Sequence, residues 1–169
     1  HPEVLPKFRL PSERKILGKV DQYDDFRAQN PEWYAITIPP SQVTESLRAM
    51  VEWEPMQALL LTASGNELPE AVDHNLAEMT MGAVHTAGVD THIIYSNTAH
   101  KSAVEARLTA LGMSPAEFSK VHWISMQHNS IWVVDYSPFP IRNTQGTIAF
   151  VDFRYFHQRA LDDALPTRL

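Results

Sequence analysis

Ala58-Leu59-Leu60-Leu61-Thr62-Ala63 is a short unbroken apolar run that stops at Ser64-Gly65-Asn66. A run of this length without polar alternation is expected of a strand covered on both faces, as in parallel sheets. Downstream the period changes. Pro69 suits the first turn of a helix, and Val72, Leu76, Met79 and Ala83 recur at helical spacing, with Gly88 as the stop. Thr91-His92-Ile93-Ile94-Tyr95-Ser96 is the next strand-like run. A second helix is expected from Thr98 as cap, through Val104, Leu108 and Leu111, to Gly112, which can take the left-handed conformation that ends helices. Ser114-Pro115-Ala116-Glu117 has the spacing of a capping box, so a short helix leads into the strand Val121-His122-Trp123-Ile124-Ser125-Met126. Strands and helices that alternate in this way predict an α/β fold.

On either side the pattern is less regular. Residues 1–50 hold Pro2, Pro6, Pro11, Pro31, Pro39 and Pro40 and lack a sustained apolar period, which reads as an extended N-terminal arm packed on a body formed by residues 51–169. Trp33 to Ile38 is its one strand-like stretch. After Met126, strands are expected at Ser130 to Tyr136 and at Thr147 to Phe153, the second following a turn around Asn143-Thr144-Gln145-Gly146.

Composition narrows the functional classes. A chain of 169 residues with 44% hydrophobic content can bury the core of one domain. Its net charge of −6 provides no basic stripe for phosphates, which argues against nucleic-acid binding. No apolar run approaches the roughly 20 residues that span a bilayer, so no membrane partner is expected. Without cysteine, disulfides and thiolate zinc sites are excluded, and the redox compartment stays undetermined. A chain that begins His1-Pro2 reads as processed, trimmed or freed of a tag, which leaves export and the cytoplasm both open.

Chemistry concentrates near the C-terminus. In Ile131-Trp132-Val133-Val134-Asp135-Tyr136-Ser137-Pro138 an aromatic stands three residues before a carboxylate. On an ideal strand these two side chains face opposite sides, so they share a pocket only where the strand bends or ends. A carboxylate beside an aromatic face suits a planar cation, with two parallel N–H bonds to the carboxylate and the ring stacking on the cation. A guanidinium uses both. The bland alternative is a core Trp followed by an Asp that bonds its own turn.

At these residues the chain resembles the peptidylarginine deiminase family of Porphyromonas type and the related agmatine deiminases. The family pattern Trp-x-Arg-Asp-x-x-Pro corresponds to Trp132 through Pro138, and its Val-Asp-Phe-x-Tyr segment to Val151-Asp152-Phe153-Arg154-Tyr155. An Asp-Asp pair and a proline follow as Asp162-Asp163-Ala164-Leu165-Pro166, and Glu52-Trp53-Glu54-Pro55 resembles the element that opens the family domain. The resemblance covers about residues 50–169 and implies a pentein fold of ββαβ-type modules arranged as an α/β propeller, incomplete in this chain. It also implies attack by a Cys thiolate on a guanidinium carbon, with a His as general acid and base and carboxylates holding the cation. By the same resemblance Asp135 is the catalytic carboxylate on the guanidinium and Trp132 the pocket wall. His157 and Arg159 fall where the family places a pair of arginines for a substrate carboxylate. Val134 departs from the motif's Arg, and His157 from one of that pair.

The resemblance implies no cofactor. It leads us to expect a C-terminal chain of the same precursor as partner, carrying the missing Cys and His, and a substrate with a guanidino group. A degenerate pentein that only binds arginine or peptides is the alternative reading, as is one whose Cys chemistry is redirected to amidine transfer or peptide cleavage. Among eight histidines, His74, Glu78 and His85 are candidates to hold a metal, but no His-Glu-x-x-His spacing occurs and no metal site is expected. His92 and His122 read as partly buried structural residues. No Gly-x-Ser-x-Gly elbow and no phosphate-binding glycine loop is present.

Overall fold

A computed structural model describes residues 21–34, 46–51, 54–63, 69–153, 155 and 159–169. The elements run in the order helix α1 (Asp21–Gln29), a 3-10 turn (Pro31–Tyr34), strands β1 (Leu47–Ala49) and β2 (Ala58–Thr62), and helix α2 (Pro69–Met81) with a π-helical turn (Gly82–Thr86). Then come β3 (Asp90–Tyr95), α3 (Thr98–Ala110), α4 (Pro115–Phe118) and β4 (Val121–Ser125). The chain closes with α5 (Val133–Tyr136), β5 (Phe139–Asn143), β6 (Ile148–Val151), α6 (Ala160–Asp163) and α7 (Leu165–Arg168).

Strands β2, β3 and β4 form a parallel sheet in that order, with Leu61 opposite Ile93 and Ile93 opposite Trp123. Because successive strand residues face opposite sides, neighbouring apolar positions feed two separate cores. Leu61 and Ile93 join Leu76, Ala77, Val84, Val104 and Leu108 in a buried cluster with the helices. Leu60, Ile94 and Ile124 face the other way and meet Met126, Val133, Tyr136, Tyr155 and Leu165 from the C-terminal segment. That two-sided cover is why Ala58 to Ala63 has no polar alternation. The result is a mixed α/β architecture with small sheets, the second being antiparallel in the order β1, β5, β6.

Helix boundaries follow local chemistry. Ser114 caps α4 in a reciprocal capping box with Glu117, with proline in the first turn. Gly88 (φ 67°), Gly112 (φ 89°) and Gly146 (φ 87°) are left-handed after the π-helical turn, after α3 and in the β5–β6 turn. The cap of α3 is Asn97, one residue before the expected Thr98, because its Oδ1 accepts the Ala99 amide at 2.8 Å. The buried stripe of α2 is also shifted by one residue. Asp73, Leu76, Ala77 and Thr80 are buried, whereas Met79 is exposed. Polar Asp73 and Thr80 are accommodated because Asp73 binds His100 at 2.8 Å and Thr80 Oγ1 donates to the Leu76 carbonyl at 2.8 Å.

Two other expectations change. Ser130 to Tyr136 is a loop ending in a helical turn, not a strand, because the buried Asp162 carboxylate and the Ser130 carbonyl take up its polar groups and replace ladder bonds. The stretch read as an extended arm is helical at Asp21–Gln29, and Trp33 and Tyr34 lie in a 3-10 turn; the rest of that strand-like stretch lies outside the described residues. Trp33 and Tyr34 contact the C-terminal segment. Tyr34 donates to the Ala160 carbonyl at 2.8 Å, Thr167 donates to the Trp33 carbonyl, and the Arg168 guanidinium lies 4.1 Å from the Trp33 ring centre.

Candidate functional site

Trp132 and Asp135 are brought to one side by the helical turn. Trp132 caps α5, and the Asp135 amide donates to the Trp132 carbonyl at 2.9 Å. Residues three apart on a helix share a face, so the conflict that a straight strand would create disappears. Trp132 is 50% exposed and Asp135 is exposed, whereas Val133 and Tyr136 between and after them point into the core. Neither Trp132 nor Asp135 is therefore a core residue, although both belong to the turn. Val134 is 81% exposed, so the position where the family motif carries Arg faces solvent as an aliphatic side chain.

The turn is held from below by the Asp162-Asp163 pair. Asp162 is fully buried, and its carboxylate accepts the Asn129 amide at 2.7 Å, the Ser130 amide at 3.2 Å and the Ser130 hydroxyl at 2.7 Å. The Tyr136 hydroxyl donates to the Ser130 carbonyl at 2.7 Å, which closes the loop on itself. Burial pushes the Tyr136 phenol far above its ordinary value, so it stays a donor. Asp163 accepts the amide of Tyr155, whose ring centre is 5.4 Å from that of Tyr136. Motif segments far apart in sequence thus share one buried carboxylate pair.

Above this base lies a short polar row. The Tyr155 hydroxyl donates to Asp135 Oδ2 at 3.3 Å and accepts from Arg159 Nη1 at 3.3 Å. The Arg159 guanidinium also lies 5.9 Å from the Tyr155 ring centre. Burial raises the Tyr155 phenol above its ordinary value, with Arg159 opposing and Asp135 reinforcing the shift. Among the described residues, Asp135 Oδ1 has no hydrogen-bond partner.

Three of the four residues assigned from sequence are accordingly placed. Asp135 and Arg159 are joined through Tyr155, Trp132 stands on the Asp135 turn, and His157 lies outside the described residues. Motif spacing does not reveal that the Tyr155 hydroxyl bridges opposite charges. The Asp162-Asp163 signal is clearer in retrospect. An acidic pair on an otherwise apolar stretch before Pro166 is a mark of buried acceptors.

Elsewhere several titratable side chains pair locally. His85 binds Glu117 at 2.6 Å, away from His74 and Glu78, and helps the Ser114 hydrogen bonds hold Glu117 at about 2. His74 lies 3.9 Å from Glu78, and among the described residues no three His, Cys, Asp or Glu side chains are grouped to hold a metal. His92 and His122 are partly buried sheet partners whose rings stack at 4.7 Å, with Asp90 2.9 Å from His122. Glu54, within the Glu-Trp-Glu-Pro element, pairs with Arg48 and lies 3.8 Å from Arg142, which ties β1 to β5. The Arg48 bond and the Val51 amide draw its carboxyl down to about 2. Glu52 and Trp53 lie outside the described residues.

A solved structure is similar in fold to part of this chain. It is a chain provisionally described as an arginine deiminase from Porphyromonas gingivalis, matched with a TM-score of 0.54 at 15% identity over 73% of this chain and 36% of that one. The two share a pentein-like α/β fold. At that identity the likeness is one of fold alone, and this chain spans about a third of the other's length. No protein-family model matches the sequence, and no curated protein matches it. Among the described residues no helix is long and apolar enough to cross a membrane.

Proposed function

We propose that this chain supplies the guanidinium-binding part of a guanidino-group hydrolase, a deiminase acting on arginine or peptidyl-arginine. The observation that supports it is the exposed Asp135 carboxylate on one helical turn with the half-exposed Trp132, linked through Tyr155 to Arg159. In this reading Asp135 accepts the N–H groups of a substrate guanidinium while Trp132 walls the cation, and Arg159, with His157, faces a substrate carboxylate. The fold shared with a protein described as an arginine deiminase is consistent with such a role.

The covalent step needs a nucleophile that this chain does not hold. Residues 1–169 contain no cysteine, so in this reading the thiolate and the general acid are supplied from outside them, by the C-terminal partner proposed for this chain. Attack on a guanidinium is slow unless the cation is held in line with the thiolate, and that orientation is the contribution assigned to Asp135. Asp135→Ala in the protein assembled with its partner is expected to abolish citrulline formation from arginine substrates. Retained turnover would remove Asp135 from the mechanism.

A second reading is favoured by the 81% exposed Val134, which leaves the cation site without the motif's charged neighbour. It makes the chain a non-catalytic module that binds arginine or arginine-bearing peptides. Calorimetric binding of arginine to the assembled protein, with no citrulline formed, is the outcome that selects it.

A further inference from the structure

Asp135 and Arg159 carry opposite charges and do not touch, and the group between them is the hydroxyl of Tyr155. A carboxylate can only accept and a guanidinium can only donate. The phenol proton therefore points at Asp135, and the phenol oxygen is left to receive Arg159. Two bonds of 3.3 Å in series keep Asp135 Oδ2 and Arg159 Nη1 within twice that distance of each other. An extended arginine has its guanidinium and carboxyl carbons roughly 7 Å apart, by ordinary bond lengths. The row is therefore no longer than about one arginine.

Resting on the guanidino-group reading above, we propose that Tyr155 is a positioning residue that spaces the cation-binding Asp135 from the anion-binding Arg159 and so selects ligands carrying both charges. The ring itself is fixed. Its amide is held by Asp163, and its face packs on Tyr136 and the buried Ile94, Met126 and Leu165 cluster. The hydroxyl bonds both ends of the polar row, and the ring centre also lies 5.9 Å from the Arg159 guanidinium. Without the hydroxyl, two opposite charges this close are free to pair directly, which would close both ends of the site at once.

Arginine and agmatine present the same cation with and without the carboxylate. In calorimetric titrations of the assembled protein, arginine is expected to bind more tightly than agmatine. Tyr155→Phe keeps the ring and its packing, and it is expected to weaken arginine about tenfold while changing agmatine little, so that the preference vanishes. Arg159→Gln should produce the same loss, and the double variant should be no weaker than either single one. A preference that survives in Tyr155→Phe overturns the proposal.

A second measurement does not depend on ligand. Nitrogen-15 relaxation of the Arg159 Nε–H in the unliganded protein should report an ordered side chain that becomes mobile in Tyr155→Phe. Equal mobility in the two proteins overturns the tie. If neither ligand binds but Arg159 is released in Tyr155→Phe, the guanidino reading fails and the positioning role stands.

Discussion

Single carboxylates decide how this chain is held together and, in the proposed function, where it binds substrate. Asp162 and Asp135 are the same residue type in opposite settings, the first buried under three donors and the second exposed. Removing a buried acceptor strands its donors, so Asp162→Ala is expected to lower stability by about 3–5 kcal/mol in urea unfolding. Asp135→Ala should leave the unfolding midpoint nearly unchanged while removing arginine binding. The pH dependence of stability divides into two windows. Burial lowers the pKa of His128 below its ordinary value of 6.5, so the unfolded state binds more protons and stability falls as pH drops through and below that value. Glu54 is drawn down to about 2 by Arg48, so its contribution is present above the ordinary value of 4.5 and is lost as pH falls from there towards 2. Thermal melts across pH should show His128→Leu flattening the upper window and Glu54→Gln the lower one.

At the scale of elements, boundaries were readable wherever a short-range device sets them. The capping box at Ser114 and the left-handed glycine after α3 were visible as spacing and composition, and both occur. Ser114→Ala is expected to cost about 1 kcal/mol through loss of the cap. Gly112→Ala meets no neighbouring atom but must hold φ at 89°, and should cost roughly 1–2 kcal/mol in the same chemical unfolding assay. Two elements were misread for a shared reason. The stripe of α2 includes Asp73 and Thr80, and the stretch from Ser130 to Tyr136 is a loop and helical turn despite its β-branched and aromatic residues. In each case a polar partner supplied from another element or from one turn away made the local pattern an unreliable guide.

Across the whole molecule, the parallel sheet separates two cores with different partners. Leu108 belongs to the core made with helices that follow the strands directly, whereas Leu165 belongs to the one made by the returning C-terminal segment. The alternation of apolar runs, a helix stop at Gly88 and the two-sided strand Ala58 to Ala63 were enough to determine an α/β fold from sequence, because these signals depend on neighbours a few residues away. The motif spacing singled out Trp132 and Asp135 and left open whether they form a cation grip or a core Trp followed by a turn Asp. What only the tertiary structure decided is how that pair is presented. Asp162 and Asp163, about thirty residues downstream in the sequence, fix the turn beneath it, and they carry Tyr155 to the point where its hydroxyl meets Asp135 and Arg159. Such bonds join residues remote along the chain, and their donors and acceptors are matched only when folding brings the C-terminal segment back onto the sheet.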